Sequence, residues 1–154
     1  MTLPLHMLDT DTASFVIKGR SPEIEAKLAA IPPDRTCVSA VTRAELMYGL
    51  TRISSSHRLH VSVRAFLRIV RVLAWDGDAA DIYAGIRHHL TSTGQPIGEL
   101  DMMIAAHAVA IGAVLVTGNV RHFGRIAAPL VLVNWNEGAG YYYGHPAPDT
   151  AHRR

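Results

Sequence analysis

The chain alternates short apolar runs with longer stretches of helical periodicity. Residues 5–8 (LHML) are an apolar run stopped by Asp9, which predicts a first strand. A short helix is expected over about 12–18. Ser21-Pro22-Glu23 then supplies a capping serine, a proline at the first helical position and an acid in the first turn. That helix has to end before Pro32-Pro33. Residues 36–41 (TCVSAV) predict a second strand, and Thr42 opens a helix to about Leu50. Leu59, Val63, Phe66, Leu67 and Val70 fall at helical spacing and predict a long amphipathic helix over about 55–70. VLAW (72–75) is a third strand. A helix over 77–93 puts Ala79, Tyr83, Ile86 and Leu90 on one face, and Gly94-Gln95-Pro96 breaks it. A further helix spans 98–111, with Gly112 at its end. AVLVT (113–117) is apolar throughout, as a strand covered on both faces must be, and LVLVN (130–134) is the last strand.

Strands separated by helices predict an α/β sandwich with a largely parallel sheet. Sites on such sheets lie beyond the carboxyl ends of the strands. The 154 residues suffice for one domain, expected over 1–136. The stretch 137–154, rich in Gly, Pro and Tyr, is expected to be a flexible tail. Apolar residues at 49% against 18% charged exclude an intrinsically disordered chain. No apolar run approaches the ~18 residues of a membrane span, and the N-terminus lacks the basic start of a signal peptide. The lone Cys37 has no partner for an internal disulfide, so the expected compartment is the cytoplasm. Charge changes the picture less in its total, +2, than in its make-up: thirteen arginines stand against two lysines, Lys18 and Lys27. A guanidinium fork suits phosphate, although a genome-wide base-composition bias explains the excess equally well.

The acids are few and sit at topologically chosen places. Asp9 directly follows the first strand, Asp11 comes two residues later, and Glu45 is placed in the first turn after the second strand. Asp101 opens the helix 98–111, and Asn119 follows the strand 113–117. A parallel sheet converges these positions on one edge. Crowded carboxylates push one another toward protonation, and a divalent cation relieves that cost. Oxygen donors suit Mg²⁺ or Mn²⁺. Each residue also has a local explanation. Thr42 and Glu45 have capping-box spacing, Asp101 complements a helix dipole, Asp11 is a possible N-cap and Asn119 a turn residue. Asp9, abutting a buried strand, is read as having no capping duty.

Three stretches resemble VapC-type toxins, the PIN-domain ribonucleases of toxin–antitoxin systems: MLDTDTASFVIKG (7–19), VSAVTRAELMYGL (38–50) and YAGIRHHLTSTGQPIGELDMMIAAHAVAIGAVLVTGNVRHFGRI (83–126). The resemblance covers roughly residues 5–136. It implies a three-layer α/β/α sandwich with a central parallel sheet, and Mg²⁺-dependent cleavage of RNA (Mn²⁺ as the alternative ion). It also implies that Asp9, Glu45 and Asp101 are the metal-binding catalytic acids, with Asn119 at the fourth position. The partners implied are RNA, a cognate antitoxin and a second copy in a homodimer. Two positions depart from the family pattern: Asp11 stands where Asn is frequent, and His122 where an acid is frequent. Arg43, Arg87, Arg121 and Arg125 lie near the motifs and are candidate contacts to the RNA backbone. The nine histidines form no zinc-like spacing, and His107, among alanines, is expected to be a satisfied core residue. Two rivals remain. A haloacid-dehalogenase-like phosphatase would use Asp9 and Asp11, but Ala13 and the absence of a distal lysine count against it. The other is a non-catalytic RNA- or protein-binding scaffold of the same fold.

Overall fold

The computed structural model describes residues 3–137 and 141–143. Its strands are β1 (His6–Leu8), β2 (Thr36–Ser39), β3 (Arg71–Leu73), β4 (Val114–Val116), β5 (Val131–Val133) and β6 (Tyr141–Tyr143). They form one sheet in the order β3-β2-β1-β4-β5-β6, parallel except for β6, which runs antiparallel to β5. The expected largely parallel sheet is therefore present. The strand Tyr141–Tyr143 lies in the stretch read from sequence as a tail.

The helices are α1 (Thr10–Lys18), α2 (Pro22–Ala29), α3 (Ala40–Thr51), α4 (Leu59–Ile69), α5 (Gly77–Ser92), α6 (Glu99–Ile111) and the single-turn α7 (Val120–Phe123). They divide between the two faces of the sheet, because successive strand residues point to opposite sides. Met7, Cys37, Leu115 and Leu132 pack with Ile86 and Leu90 of α5, Met102 and Ile104 of α6 and Phe123 of α7. Leu8, Val38, Val114, Val116 and Val133 pack with Ala13 of α1, Ile24 of α2, Leu46 and Leu50 of α3, and Val63 and Phe66 of α4. Three layers result. The helix expected from 55 begins only at Leu59, since Ser54, Ser56 and His57 engage their own neighbours in turns: Ser54 Oγ accepts the Ser56 N–H, and His57 Nδ1 accepts the Leu59 N–H.

Two histidines are buried in this frame. His107 is 1% exposed with Nδ1 hydrogen-bonded to Ser39 Oγ at 2.8 Å, the satisfied core residue expected. His6 bonds the Pro4 carbonyl through Nδ1 at 3.0 Å. Burial holds both imidazoles below their ordinary 6.5. In the unfolded chain both accept protons below that value, and in the fold they resist. Native stability is thus expected to fall as pH drops from 7.5 to 5.5, with a slope of at most about 1.4 kcal/mol per pH unit per histidine. Urea unfolding at the two pH values measures this, and the part due to His107 should disappear in His107→Gln.

Candidate active site

The strand order places the site. From β1 the chain moves outward to β2 and β3, then returns to lay β4 on the other side of β1. The carboxyl ends of β1 and β4 flank the crevice where the order reverses, the usual ligand position in an open α/β sheet. Asp9 follows β1 and Asn119 lies three residues beyond β4.

Asp9 is 4% exposed, and its N–H extends the ladder to the Val116 carbonyl at 3.0 Å. Its Oδ1 also accepts the Thr12 N–H at 2.9 Å, so Asp9 is the N-cap of α1. This corrects the reading that it has no capping duty. The helix starts at Thr10, two residues earlier than expected, and Asp11 is an exposed first-turn acid rather than the cap. A similar shift affects Glu45. Ser39 Oγ accepts the Val41 N–H at 3.1 Å and starts α3 at Ala40, so Glu45 lies in the second turn and no capping box forms with Thr42. Instead Glu45 Oε1 accepts the Thr10 hydroxyl at 2.7 Å, and the Thr42 hydroxyl lies 3.1 Å from that of Thr10. Thr10 thereby joins the acid on α3 to the residue beside Asp9.

Asp101 sits in the first turn of α6, as expected. Its Oδ2 is 3.5 Å from Nε2 of His122, which comes from α7. Asn119 occupies the cap position of α7 without a side-chain cap bond, and its N–H donates to Thr117 Oγ1 at 3.0 Å. Gly124 closes this short helix tightly, since a Cβ there would lie 2.9 Å from the Val120 carbonyl.

Asp9, Asp11 and Asn119 line one cavity of about 410 Å³, together with Phe15, Trp135 and Asn136. Asp101 and Glu45 are outside its lining. Asp101 is joined to the group by the charge of Asp11, and Glu45 by Thr10. Burial pushes the Asp9 carboxyl above the usual carboxylate range. Hydrogen bonds from Thr117 and Thr12 oppose that shift, and the charge of Asp11 adds to it. Burial raises Asp101 as well, His122 opposing and Asp11 adding. Among the described residues no Lys or Arg lies within ion-pair distance of Asp9, Asp11, Glu45 or Asp101.

This donor chemistry fits a hard divalent cation: a buried Asp9 and a half-buried Asp101 that desolvation and the like charge of Asp11 make costly, with no Lys or Arg to compensate. Among the described residues no three His, Cys, Asp or Glu side chains group closely enough to hold a metal ion together. Mg²⁺ needs none, because it binds through one or two carboxylates and keeps several waters.

The candidate arginines differ among themselves. Arg87 Nη1 pairs with Glu99 Oε1 at 2.8 Å and bonds the Tyr83 hydroxyl at 3.0 Å, and Arg125 Nη1 bonds the Pro96 carbonyl at 3.5 Å. Arg43 and Arg121 are exposed without an ion pair among the described residues. Several site residues went unread in the sequence. These are Thr10, Thr117, and the rim where Ser21 Oγ bonds Asn136 Oδ1 at 2.7 Å. The Asn134-Trp135-Asn136 run directly after the last apolar strand was the signal available for the rim.

The PIN domain family model matches residues 7–129. The chain belongs to the PIN-domain family. Within it the similarity is to VapC proteins. The tRNA(fMet)-specific endonuclease VapC of Salmonella typhimurium is 38% identical over 120 residues, 78% of this chain and 90% of the relative. Ribonuclease VapC2 of Haemophilus influenzae is 36% identical over 130 residues, 84% and 97% of the two chains. The crystal structure of DNA-bound VapBC from Salmonella typhimurium superposes with a TM-score of 0.80 at 35% identity, covering 86% of this chain and 99% of that one. This PIN-domain membership removes the dehalogenase-like reading of Asp9 and Asp11.

Proposed function

We propose that this PIN-domain protein is a Mg²⁺-dependent endoribonuclease, with Mn²⁺ an acceptable substitute, and the toxin of a toxin–antitoxin pair. The observation that carries this reading is one cavity at the switch point of the sheet lined by Asp9, Asp11 and Asn119, with Asp101 near enough to feel the charge of Asp11 and, among the described residues, no Lys or Arg paired to these acids, in a chain 38% identical to a VapC endonuclease. Asp9 and Asp101 are the direct metal ligands in this reading. Glu45, aligned by Thr10, acts through water or as general base. Asn119 holds a water or ligand by donating or accepting. The bound cation supplies acidification of a water and shielding of charge on the phosphodiester. The protein's own part is to desolvate these carboxylates and hold their rotamers through Thr12, Thr10, Thr117 and His122.

The partner is proposed to be an antitoxin. The solved VapBC complexes are toxin–antitoxin assemblies, and a cavity of about 480 Å³ adjoins Glu45, lined by Ile17, Leu46, Leu50, Leu59 and Val63 with Lys18 and Arg52. A homodimer is part of the proposal: Tyr48, Val61 and Ile69 expose apolar surface on α3 and α4. Among the described residues no helix is long and apolar enough to cross a membrane.

The test is a pair of measurements on the purified chain. RNA cleavage is expected to require Mg²⁺ or Mn²⁺ and to stop in EDTA. The melting temperature of EDTA-treated protein is expected to rise on titration with either ion, because a ligand that binds only the native state stabilises it by mass action. Cleavage that persists in EDTA overturns the metal dependence. A protein that neither cleaves nor shifts is the non-catalytic scaffold.

A further inference from the structure

The four arginines beside the sequence motifs are not the most concentrated basic surface near the acids. A chain of three cavities runs along the exposed edge of α1. The first, holding Asp9, Asp11 and Asn119, is also lined by Phe15. The second is lined by Asp11, Ser14, Phe15, Lys18 and Arg20, so it shares Asp11 and Phe15 with the first. The third, about 680 Å³, shares Lys18 and Arg20 with the second and adds His57 and Arg58, with Glu25 its one acid. Lys18, Arg20 and Arg58 are exposed, and among the described residues none has a carboxylate within ion-pair distance. The backbone builds this bend. Gly19 ends α1 with φ 62°, a left-handed turn that takes the chain away from the helix axis just before Arg20. From Asp11 to Lys18 the helix rises about 10 Å.

We propose that single-stranded RNA leaves the carboxylate cavity along α1, with a base stacked on Phe15 and successive phosphates bound by Lys18, Arg20 and Arg58. This rests on the ribonuclease reading above and names how the same site holds its substrate. Phe15 is 42% exposed, so its ring is open to a base, and it stands at the junction of the acidic and basic cavities. An aromatic platform followed by unpaired cations is the recurring design of single-strand binding: the ring accepts any base, and the cations follow the backbone. Arg87, by contrast, already has Glu99 and Tyr83 as partners.

The experiment is fluorescence anisotropy with a 5′-labelled oligouridine, in EDTA so that no cleavage occurs, from 50 to 300 mM salt. Lys18→Gln/Arg20→Gln/Arg58→Gln is expected to flatten the slope of log K against log salt by about 2, since each single-strand phosphate contact contributes about 0.7. Phe15→Ala is expected to weaken binding about tenfold without changing the slope. Arg68→Gln, an exposed arginine on α4 away from these cavities, should leave both unchanged. Thermal melts confirm that each variant is folded. If the triple variant keeps the wild-type slope and affinity, the track is overturned, whether the basic cavity takes an acidic protein segment or nothing. Because binding is read without metal, loss of cleavage in a wild-type preparation would count against the ribonuclease reading and leave this measurement standing.

Discussion

Replacing Asp9 by Asn is expected to reduce metal-dependent RNA cleavage by at least about 10²-fold, the scale of removing one preorganised charge-stabilising group from an active site. The same variant is expected to be as stable as the wild type in EDTA, or more so. Both expectations come from the two roles of one side chain. As a cap, Asp9 uses Oδ1 to accept the Thr12 N–H at 2.9 Å. Asn keeps that oxygen and ranks with Asp as an N-cap. As a charge, Asp9 is 4% exposed, and burial pushes its pKa above the ordinary 3.8. For an acid with a raised folded pKa the sign is unfavourable. The unfolded chain ionises first as pH rises, so the Asp9 contribution to stability falls from above 3.8 until pH has passed the raised folded value. Asn removes that loss along with the ligand. Asp9→Ala removes the cap as well, at about 1 kcal/mol, or roughly 2–4 °C in Tm. Single-turnover cleavage with melting curves in EDTA separates the effects. Full cleavage by Asp9→Asn would remove Asp9 from the site, and a drop in Tm equal to that of Asp9→Ala would remove the account of its cap.

Ser39→Ala is expected to be the most damaging single-atom deletion away from the acids, at about 2–4 kcal/mol. Ser39 has no exposed surface and its hydroxyl does two jobs. It caps α3 through the Val41 N–H at 3.1 Å, a contribution of about 1 kcal/mol. It also contacts His107 Nδ1 at 2.8 Å, and a buried imidazole nitrogen without a partner costs about 1–3 kcal/mol. Because α3 carries Glu45 to Thr10, looser anchoring of its first turn should also lower cleavage. Urea unfolding gives the stability term. Ser39→Thr, which keeps the hydroxyl, should recover part of the stability if packing accepts the methyl. A loss below about 1 kcal/mol would show that His107 finds another partner.

Much of the fold was legible because parallel strands buried on both faces have to be apolar at every position. HML, VLV at 114–116 and VLV at 131–133 all announced themselves in this way. So did the positions of Asp9 and Asp101, because an acid at the end of a buried strand or the opening of a helix has few other places to go. The local hydrogen bonds were less legible. Both α1 and α3 start two residues before the expected point, since Asp9, the first residue past β1, and Ser39, the last residue of β2, act as caps at once with no intervening loop. A capping residue and a strand-terminal residue look alike in sequence and share an extended backbone, φ −70° and ψ 170° at Asp9, and only the Thr12 N–H bond to Oδ1 tells them apart. The proximity of His122 to Asp101 depends on how α6 and α7, which lie on either side of β4 in the chain, are packed, and no local pattern encodes it. The strand Tyr141–Tyr143 was missed because Gly and Pro dominate its surroundings, and three tyrosines carry no alternation.

That last strand changes the vulnerability of the sheet. An open strand edge presents unpaired peptide groups to any other extended chain. By running antiparallel to Val131–Val133, Tyr141–Tyr143 satisfies the outward peptide groups of an otherwise apolar strand. The edge thereby passes to Tyr141–Tyr143 itself, three residues long, and the opposite edge is Arg71–Leu73, equally short and opened by an exposed arginine whose Nη1 reaches back to the Asp34 carbonyl at 3.3 Å. The buried apolar strands are thus interior to the sheet and both margins are three-residue strands, one of them charged, so the sheet offers only a short template for the cross-strand aggregation that a concentrated pool of small α/β domains would otherwise invite.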